Sequence, residues 1–359
     1  MKKTAVDLFC GAGGLSRGLV AAGFDVRAAV DNWPRAIESY RANFPGHSHL
    51  CGDVAKLEKS SFRQLGVPSE LDLVAGGPPC QGFSVQRIGS DFDERNQLIH
   101  EFARVVRDLR PKTFLMENVP GLLGKRGRPI AESFIETMAA AGYSVTHRIV
   151  DAVSLGVPQV RRRVFFVGYL SSEDGLFSFP QQSTAKAISV SDAISDLISP
   201  PADFLPAPGD PLHRRTKMSP KNLQRLALIP PGGGFEDLPV ELRVDCHKDG
   251  ADKIGHRNVY GRLDADKPAV TITARFDSFT RGKFAHPVED RNITLREGAR
   301  LQSFPDSHVF LGTQEEIAAQ IGNSVPPTIA EAFGRSLLDL IEKLDQSHRK
   351  ETRVQSAIG

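Results

Sequence analysis

Short apolar runs alternate with helix-period segments through the first half of the chain, and this alternation limits the available folds more than any other feature. TAVDLF (Thr4 to Phe9), FDVRAAVD (Phe24 to Asp31), LDLVAGG (Leu71 to Gly77) and KTFLMEN (Lys112 to Asn118) read as buried strands. A helix begins near Leu15 and is closed by Gly23, and the next carries Pro34 in its first turn. Amphipathic spacing continues over Gln97 to Arg110 and over Ile130 to Ala141, followed by strands around Val145 to Val150 and Val164 to Gly168. Repeated βα units predict an α/β fold with a doubly wound, mostly parallel sheet and helices on both faces.

The texture changes after Tyr169. PPADFLPAPGDP and IPPGGGFEDLP are rich in turn formers and poor in periodicity, while regular patterning returns with LREGARLQSFPD and a helix from Pro327 to about Leu344. The expected division is therefore residues 1–170 plus 286–345 as one domain, 171–285 as a smaller irregular domain, and 346–359 as a polar tail. At 40% apolar residues a chain of 359 can bury a sizeable core. Its net charge of only +2 means that a nucleic-acid partner would have to meet a local patch. Cys10, Cys51, Cys80 and Cys246 show no metal-type CxxC spacing, and the N-terminus lacks signal-peptide character. No apolar run approaches the roughly 20 residues of a membrane span. These features predict a soluble, metal-free protein of a reducing cytosol.

Two strand ends carry chemistry. DLFCGAGGLSRGL puts Gly11, Gly13 and Gly14 between a strand and a helix, where backbone N–H groups can meet a ligand. Asp31 ends the second strand, the usual place for a carboxylate that binds ribose hydroxyls. GAGGLSRG does not supply the GxGxxG order of nicotinamide enzymes. In GGPPCQGFS, Pro78 and Pro79 restrict the backbone before Cys80 while Gly82 permits a turn, so the loop is shaped to present a thiol. An isolated cysteine is more often a small core hydrophobe, but core cysteines do not need a diproline. Glu117 ends an apolar strand at the same sheet edge, where an unpartnered carboxylate is costly. Arg161, Arg162 and Arg163 form a basic cluster whose alternation would send Arg161 and Arg163 to one face.

Taken in order, these segments resemble the C5-cytosine DNA methyltransferases of bacterial restriction-modification systems. DLFCGAGG resembles that family's cofactor motif, GGPPCQGFS its nucleophile loop, and ENV and QVRRR its next signatures. LREGARLQSFPD and QIGNSVPP are similar to its C-terminal pair. The resemblance implies the Rossmann-like S-adenosylmethionine-dependent methyltransferase fold, with target recognition in 171–285. It implies methyl transfer from S-adenosylmethionine to C5 of a cytosine flipped out of a short double-stranded DNA sequence. Cys80 would add to C6 of the ring, Glu117 would hold or protonate N3, and Arg163 would grip the base with help from Arg161.

On the cofactor side the resemblance implies Phe9 against the adenosyl group, Gly11 and Gly13 at the methionine end, Asp31 on the ribose and Asp53 on the adenine amine. Pro79 and Leu98 would border that site and Asn323 would reach it. The family often has a bulky residue after its ribose carboxylate, whereas Asn32 and then Trp33 stand here, so both are candidates against the adenine. The polar stretch Ser84 to Asn96 would close over DNA. Basic residues in HRRTKMSPKNLQR, GHRNVYGR and RFDSFTRGKF are candidates for phosphate and base contacts. The expected protein is a monomer whose cognate restriction endonuclease is a functional, not a physical, partner. A tRNA cytosine methyltransferase on the same scaffold is the alternative; Gly82 and Phe83 after the nucleophile favour DNA.

Overall fold

The computed structural model describes residues 2–79, 97–182, 185–244 and 259–358, with side chains as far as Arg349. The chain divides into two compact units: residues 1–150, 162–182 and 325–359, and residues 151–161 and 183–324.

The first unit is built on βα repeats. Its elements are β1 (Thr4–Leu8), α1 (Gly14–Ala22), β2 (Asp25–Asp31), α2 (Pro34–Asn43), β3 (Ser48–Cys51), α3 (Lys59–Gln64), β4 (Leu73–Gly76), α4 (Gln97–Leu109), β5 (Thr113–Asn118), α5 (Arg128–Ala140), β6 (Tyr143–Asp151) and β7 (Arg162–Leu170). The seven-stranded sheet runs β3-β2-β1-β4-β5-β7-β6. The first five strands in that order pair in parallel, and β7 is antiparallel to β5. Leu8 lies opposite both Val30 and Gly76, Asp31 opposite Cys51, and Gly76 opposite Met116. The C-terminal ends of the parallel strands therefore share one edge, the edge at which open α/β sheets bind ligands.

Phe102, Phe114, Phe134 and Phe166 form the centre of the core, with Phe114 edge-on to both Phe102 and Phe134, and Phe134 edge-on to Phe166. A long C-terminal helix, Pro327–Ile358, returns to this unit. Gly18 of α1 allows close approach there, since a Cβ at that position would sit 2.3 Å from the Pro327 carbonyl oxygen. Sequence patterning ended this helix near Leu344, the last buried residue among its described side chains. No Gly or Pro interrupts the mainly polar stretch from Asp345 to Ile358, so the backbone stays helical beyond Leu344.

In the second unit the elements are α6 (Val190–Ile194), α7 (Pro220–Ala227), β8 (Gly261–Arg262), β9 (Lys283–Ala285), α8 (Leu295–Leu301) and α9 (Gln314–Asn323), with the C-terminal helix of the first unit following as α10. A small apolar cluster of Leu226, Ile229, Phe235, Leu238, Phe279 and Ala285 is supplemented by buried arginines. Arg262 donates to the carbonyls of Leu226, Ile229, His286 and Glu289. Arg291 meets both Glu297 carboxylate oxygens at 2.8 Å. The Arg262 bonds link His286 and Glu289 to the irregular region, and residues 286–324 fall in the second unit, whereas sequence patterning assigned that stretch to the catalytic domain. Residues 171–182 stay with the first unit, where Phe179 packs edge-on against Phe333 and under Arg148.

Candidate active site at the sheet edge

The glycine turn after β1 is held from below. Phe9 takes a left-handed φ of 59°, a strained choice for a side chain with a Cβ, and the Cys10 amide then donates to the Val30 carbonyl at 3.1 Å. Gly13 has φ 95°, and a Cβ there would approach the Phe44 ring to 2.4 Å. Its lack of a side chain is what lets α2 pack beneath the turn. Gly11 differs: a Cβ built on it meets nothing within 4 Å, so its outer face opens on free space.

Asp31 joins this turn to the end of β2. Its carboxylate accepts from the Gly11 amide at 2.9 Å and the Trp33 amide at 2.8 Å. Burial raises its pKa, opposed by the amides of Trp33, Gly11 and Asn32. Asp53 follows β3, linked to the same edge by the Gly52 amide on the Asp31 carbonyl at 2.9 Å. Its carboxylate caps a single helical turn through the Ala55 amide. Two carboxylates on adjacent strand ends beside an open glycine face suit a nucleoside with two hydroxyls and an amine, so these residues fit S-adenosylmethionine. Asn32 is exposed and Trp33 half-buried beside them.

Four residues beneath the turn have polar roles that sequence reasoning missed. Ser16 donates to buried Asp7 at 2.6 Å and shares a 2.9 Å hydrogen bond with the Tyr40 hydroxyl, which reaches His47 Nδ1 at 3.0 Å. Burial, reinforced by nearby Asp31, pushes Asp7 up to about 7 against the Ser16 hydrogen bond. A carboxylate inside an apolar strand was the available signal, as it was for Glu117.

Glu117 and Asn118 end β5 on the same edge. Arg163 Nε stands 2.9 Å from Glu117 Oε1, with both side chains largely shielded from water. The other Glu117 oxygen lies toward Gly77, 3.4 Å from where a Cβ on that residue would be. Asn118, only 3% exposed, donates to the Pro78 carbonyl at 3.1 Å and accepts from the Val119 amide at 2.9 Å. Pro79 and Leu98 are both half-buried. Cys80 and the Ser84 to Asn96 stretch lie outside the described residues, as does Cys246. Cys10 is a buried thiol raised well above its ordinary pKa by burial, and Cys51 is exposed.

Arg161 and Asn323 belong to the second unit. Arg161 is 2% exposed and donates to the carbonyls of Ile272, Gly322 and Ser324. Asn323, the last residue of α9, is exposed. Within the basic segments, His213, Arg225 and Arg262 are buried and bonded to protein carbonyls, while Arg214, Lys221 and Arg281 are exposed. Among the described residues, no group of three His, Cys, Asp or Glu is placed to hold a metal, and no helix is long and apolar enough to cross a membrane.

A family model of C-5 cytosine-specific DNA methylases matches residues 3–339. The chain is 35% identical over 345 residues to the Type II methyltransferase M1.HphI of Haemophilus parahaemolyticus, covering 95% of this chain and 88% of that protein. It is 31% identical over 357 residues to the Type II methylase M.HgiDII of Herpetosiphon aurantiacus, covering 97% and 99%. Among solved structures, an Escherichia coli prophage protein assigned as a DNA modification methyltransferase superposes with TM-score 0.71 at 29% identity, covering 95% of this chain and 99% of that one. Spodoptera frugiperda DNMT2 superposes with TM-score 0.64 at 17% identity over 94% and 99%, a likeness of fold alone.

Proposed function

The chain belongs to the C-5 cytosine-specific DNA methylases, and from that premise we propose how its own residues divide the work. It is a DNA cytosine-5-methyltransferase of the Type II restriction-modification kind. The names of its curated relatives favour DNA over the tRNA alternative.

Cytosine C5 is a weak nucleophile, and the family's methyl donor, S-adenosylmethionine, supplies an electrophilic methyl carbon. Cys80, as its thiolate, forms a bond to C6, and the ring electrons move toward C5 and N3. Glu117 holds N3 and delivers a proton there, which stabilises the adduct as an enamine whose C5 is nucleophilic. Arg163 fixes the carboxyl of Glu117 and contributes its remaining donors to the base. After the methyl group joins C5, loss of the C5 proton and β-elimination return Cys80 as thiolate. The target base must leave the duplex stack to reach this edge.

The observation that carries the reading is the pairing of Glu117 with Arg163 at 2.9 Å on the strand end where buried Asn118 grips Pro78, two residues before Cys80. Phe9, Gly11, Gly13, Asp31 and Asp53 hold the cofactor, with Asn32 or Trp33 against the adenine. Pro79 and Leu98 border it, and the family resemblance assigns Asn323 to it as well. Arg214, Lys221 and Arg281, being exposed, are the first candidates for contact with double-stranded DNA. On this reading the protein acts as a monomer in the bacterial cytosol, with a cognate endonuclease as functional partner. Transfer of a tritiated methyl group from S-adenosylmethionine to DNA tests the activity. Wild type labels duplex DNA carrying the recognised sequence and Cys80→Ser does not; equal labelling by both would refute the assignment of Cys80.

A further inference from the structure

The second unit contains a buried polar cage that the reaction as described does not use. Gln159, Arg161 and Gln302 are each at most 2% exposed. Gln159 accepts from the Ile272 amide at 3.0 Å and donates to the Leu301 carbonyl at 2.8 Å and to the Gln302 side chain. Gln302 in turn donates to the Ile321 carbonyl at 2.7 Å. Arg161 donates to Ile272 at 3.1 Å through Nη1, and to Gly322 at 3.2 Å and Ser324 at 3.1 Å through Nη2.

The recipients share one location. Ile321, Gly322 and Ser324 lie at or just beyond the last turn of α9, where helix carbonyls run out of amide partners and carry partial negative charge. A guanidinium meets that charge with a flat fork of donors, a geometry that an ammonium cannot reproduce. Thr273 packs against the turn from the other side: a Cβ on Gly322 would lie 2.2 Å from the Thr273 carbonyl group, so only glycine allows this close approach. Ser324 adds its hydroxyl to the Gln320 carbonyl at 2.6 Å. Asn323 sits between the two carbonyls that Arg161 Nη2 grips, and its own side chain faces outward.

We propose that Arg161 serves the reaction as the positioning residue of Asn323, fixing the backbone on both sides of it, rather than as a second grip on the target base. This rests on the reading above that Asn323 contacts the cofactor. Gln302 supports the same turn from the adjacent carbonyl, and Gln159 holds Gln302. The position of Arg161 two residues from Arg163 then reflects a division of labour: Arg163 pairs with Glu117, and Arg161 caps α9.

The test measures S-adenosylhomocysteine binding by calorimetry without DNA, in Arg161→Lys, Gln302→Met, Asn323→Ala and the Arg161→Lys/Asn323→Ala double variant. Each single variant is expected to weaken binding, on the order of tenfold, the scale of one charged hydrogen bond. The double variant is expected to be no worse than its weaker-binding parent, because both changes remove the same contact. With cofactor saturating, Arg161→Lys should still form the adduct with DNA containing 5-fluorocytosine. Arg161→Lys and Gln302→Met that are folded and bind as wild type, while Asn323→Ala binds weakly, would overturn the proposal. So would multiplying effects in the double variant, or an adduct lost at saturation with binding intact. Should Arg161→Lys fail to fold, Gln302→Met carries the comparison. If Asn323→Ala binds as wild type, the cofactor reading of Asn323 has failed and the proposal falls with it.

Discussion

Asn118 donates its side-chain amide to the Pro78 carbonyl at 3.1 Å from a site that is almost wholly buried, and so ties the end of β5 to the loop that leads to Cys80. Glu117, one residue earlier, faces Arg163. One strand end thus places the proton-handling carboxyl and anchors the nucleophile loop.

Asn118→Ala should leave the Pro78 carbonyl and the Val119 amide without their partner. The expected cost is about 1–3 kcal/mol in urea unfolding. Adduct formation on 5-fluorocytosine DNA should slow while S-adenosylhomocysteine affinity is retained. An unchanged adduct rate in a destabilised variant would assign Asn118 to folding alone.

Glu117→Gln keeps the size of the side chain but removes its ionisable proton. Single-turnover methyl transfer should fall by about 10²–10⁴-fold, the usual range for a lost general acid or base, with DNA binding little changed. Methylation at the wild-type rate would remove Glu117 from the chemistry.

Gly11→Ala and Gly13→Ala separate two uses of glycine in one turn. An added methyl at Gly11 enters open space, so it should obstruct the cofactor and weaken S-adenosylhomocysteine binding, with stability reduced only by the left-handed backbone, about 1–2 kcal/mol. At Gly13 the methyl collides with Phe44 as well, and the larger loss should be in thermal stability. Equal melting temperatures for the two variants would contradict this division.

Asp7 gives the protein a pH dependence of definite sign. Its folded-state pKa is raised to about 7, whereas an unfolded carboxyl titrates near ~3.9. Between those values the folded chain holds a proton that the unfolded chain has released. Stability from this group is therefore greatest at low pH, falls as pH rises through the window, and levels off above the folded pKa. The contribution is on the order of 4 kcal/mol. Urea unfolding of Asp7→Asn at about pH 5 and about pH 8 should show the variant gaining on wild type at the higher pH; a parallel dependence would place the proton elsewhere.

Much of this arrangement was legible in the residues. The parallel strands announced themselves as apolar runs, and the residues at their ends, Asp31, Glu117 and the glycines, fall on one edge as the βα pattern requires. Arg161 was less legible. Alternation gave it the same face as Arg163, but β7 begins at Arg162, so the two-residue period does not extend back to Arg161. Residues 286–324 have helical pattern and motif, yet buried Arg296 and Asn292 find partners in the irregular region, the Asp210 carboxylate and the Asp277 carbonyl. Polar bonds between distant segments leave no periodic trace. The basic segments illustrate the same limit: His213, Arg225 and Arg262 look like DNA contacts by composition and are structural by burial.

The central claim is that Cys80 attacks C6 of cytosine in DNA. It is tested most directly by incubating the protein with S-adenosylmethionine and a duplex carrying 5-fluorocytosine at the methylated position, then resolving the products under denaturing conditions. Fluorine at C5 cannot leave as a proton does, so β-elimination is blocked. A denaturation-resistant protein–DNA complex should form with wild type, with the cross-link mapping to Cys80, and none should form with Cys80→Ala. Methylation of ordinary DNA without any trapped complex, or a cross-link at another residue, would contradict the account.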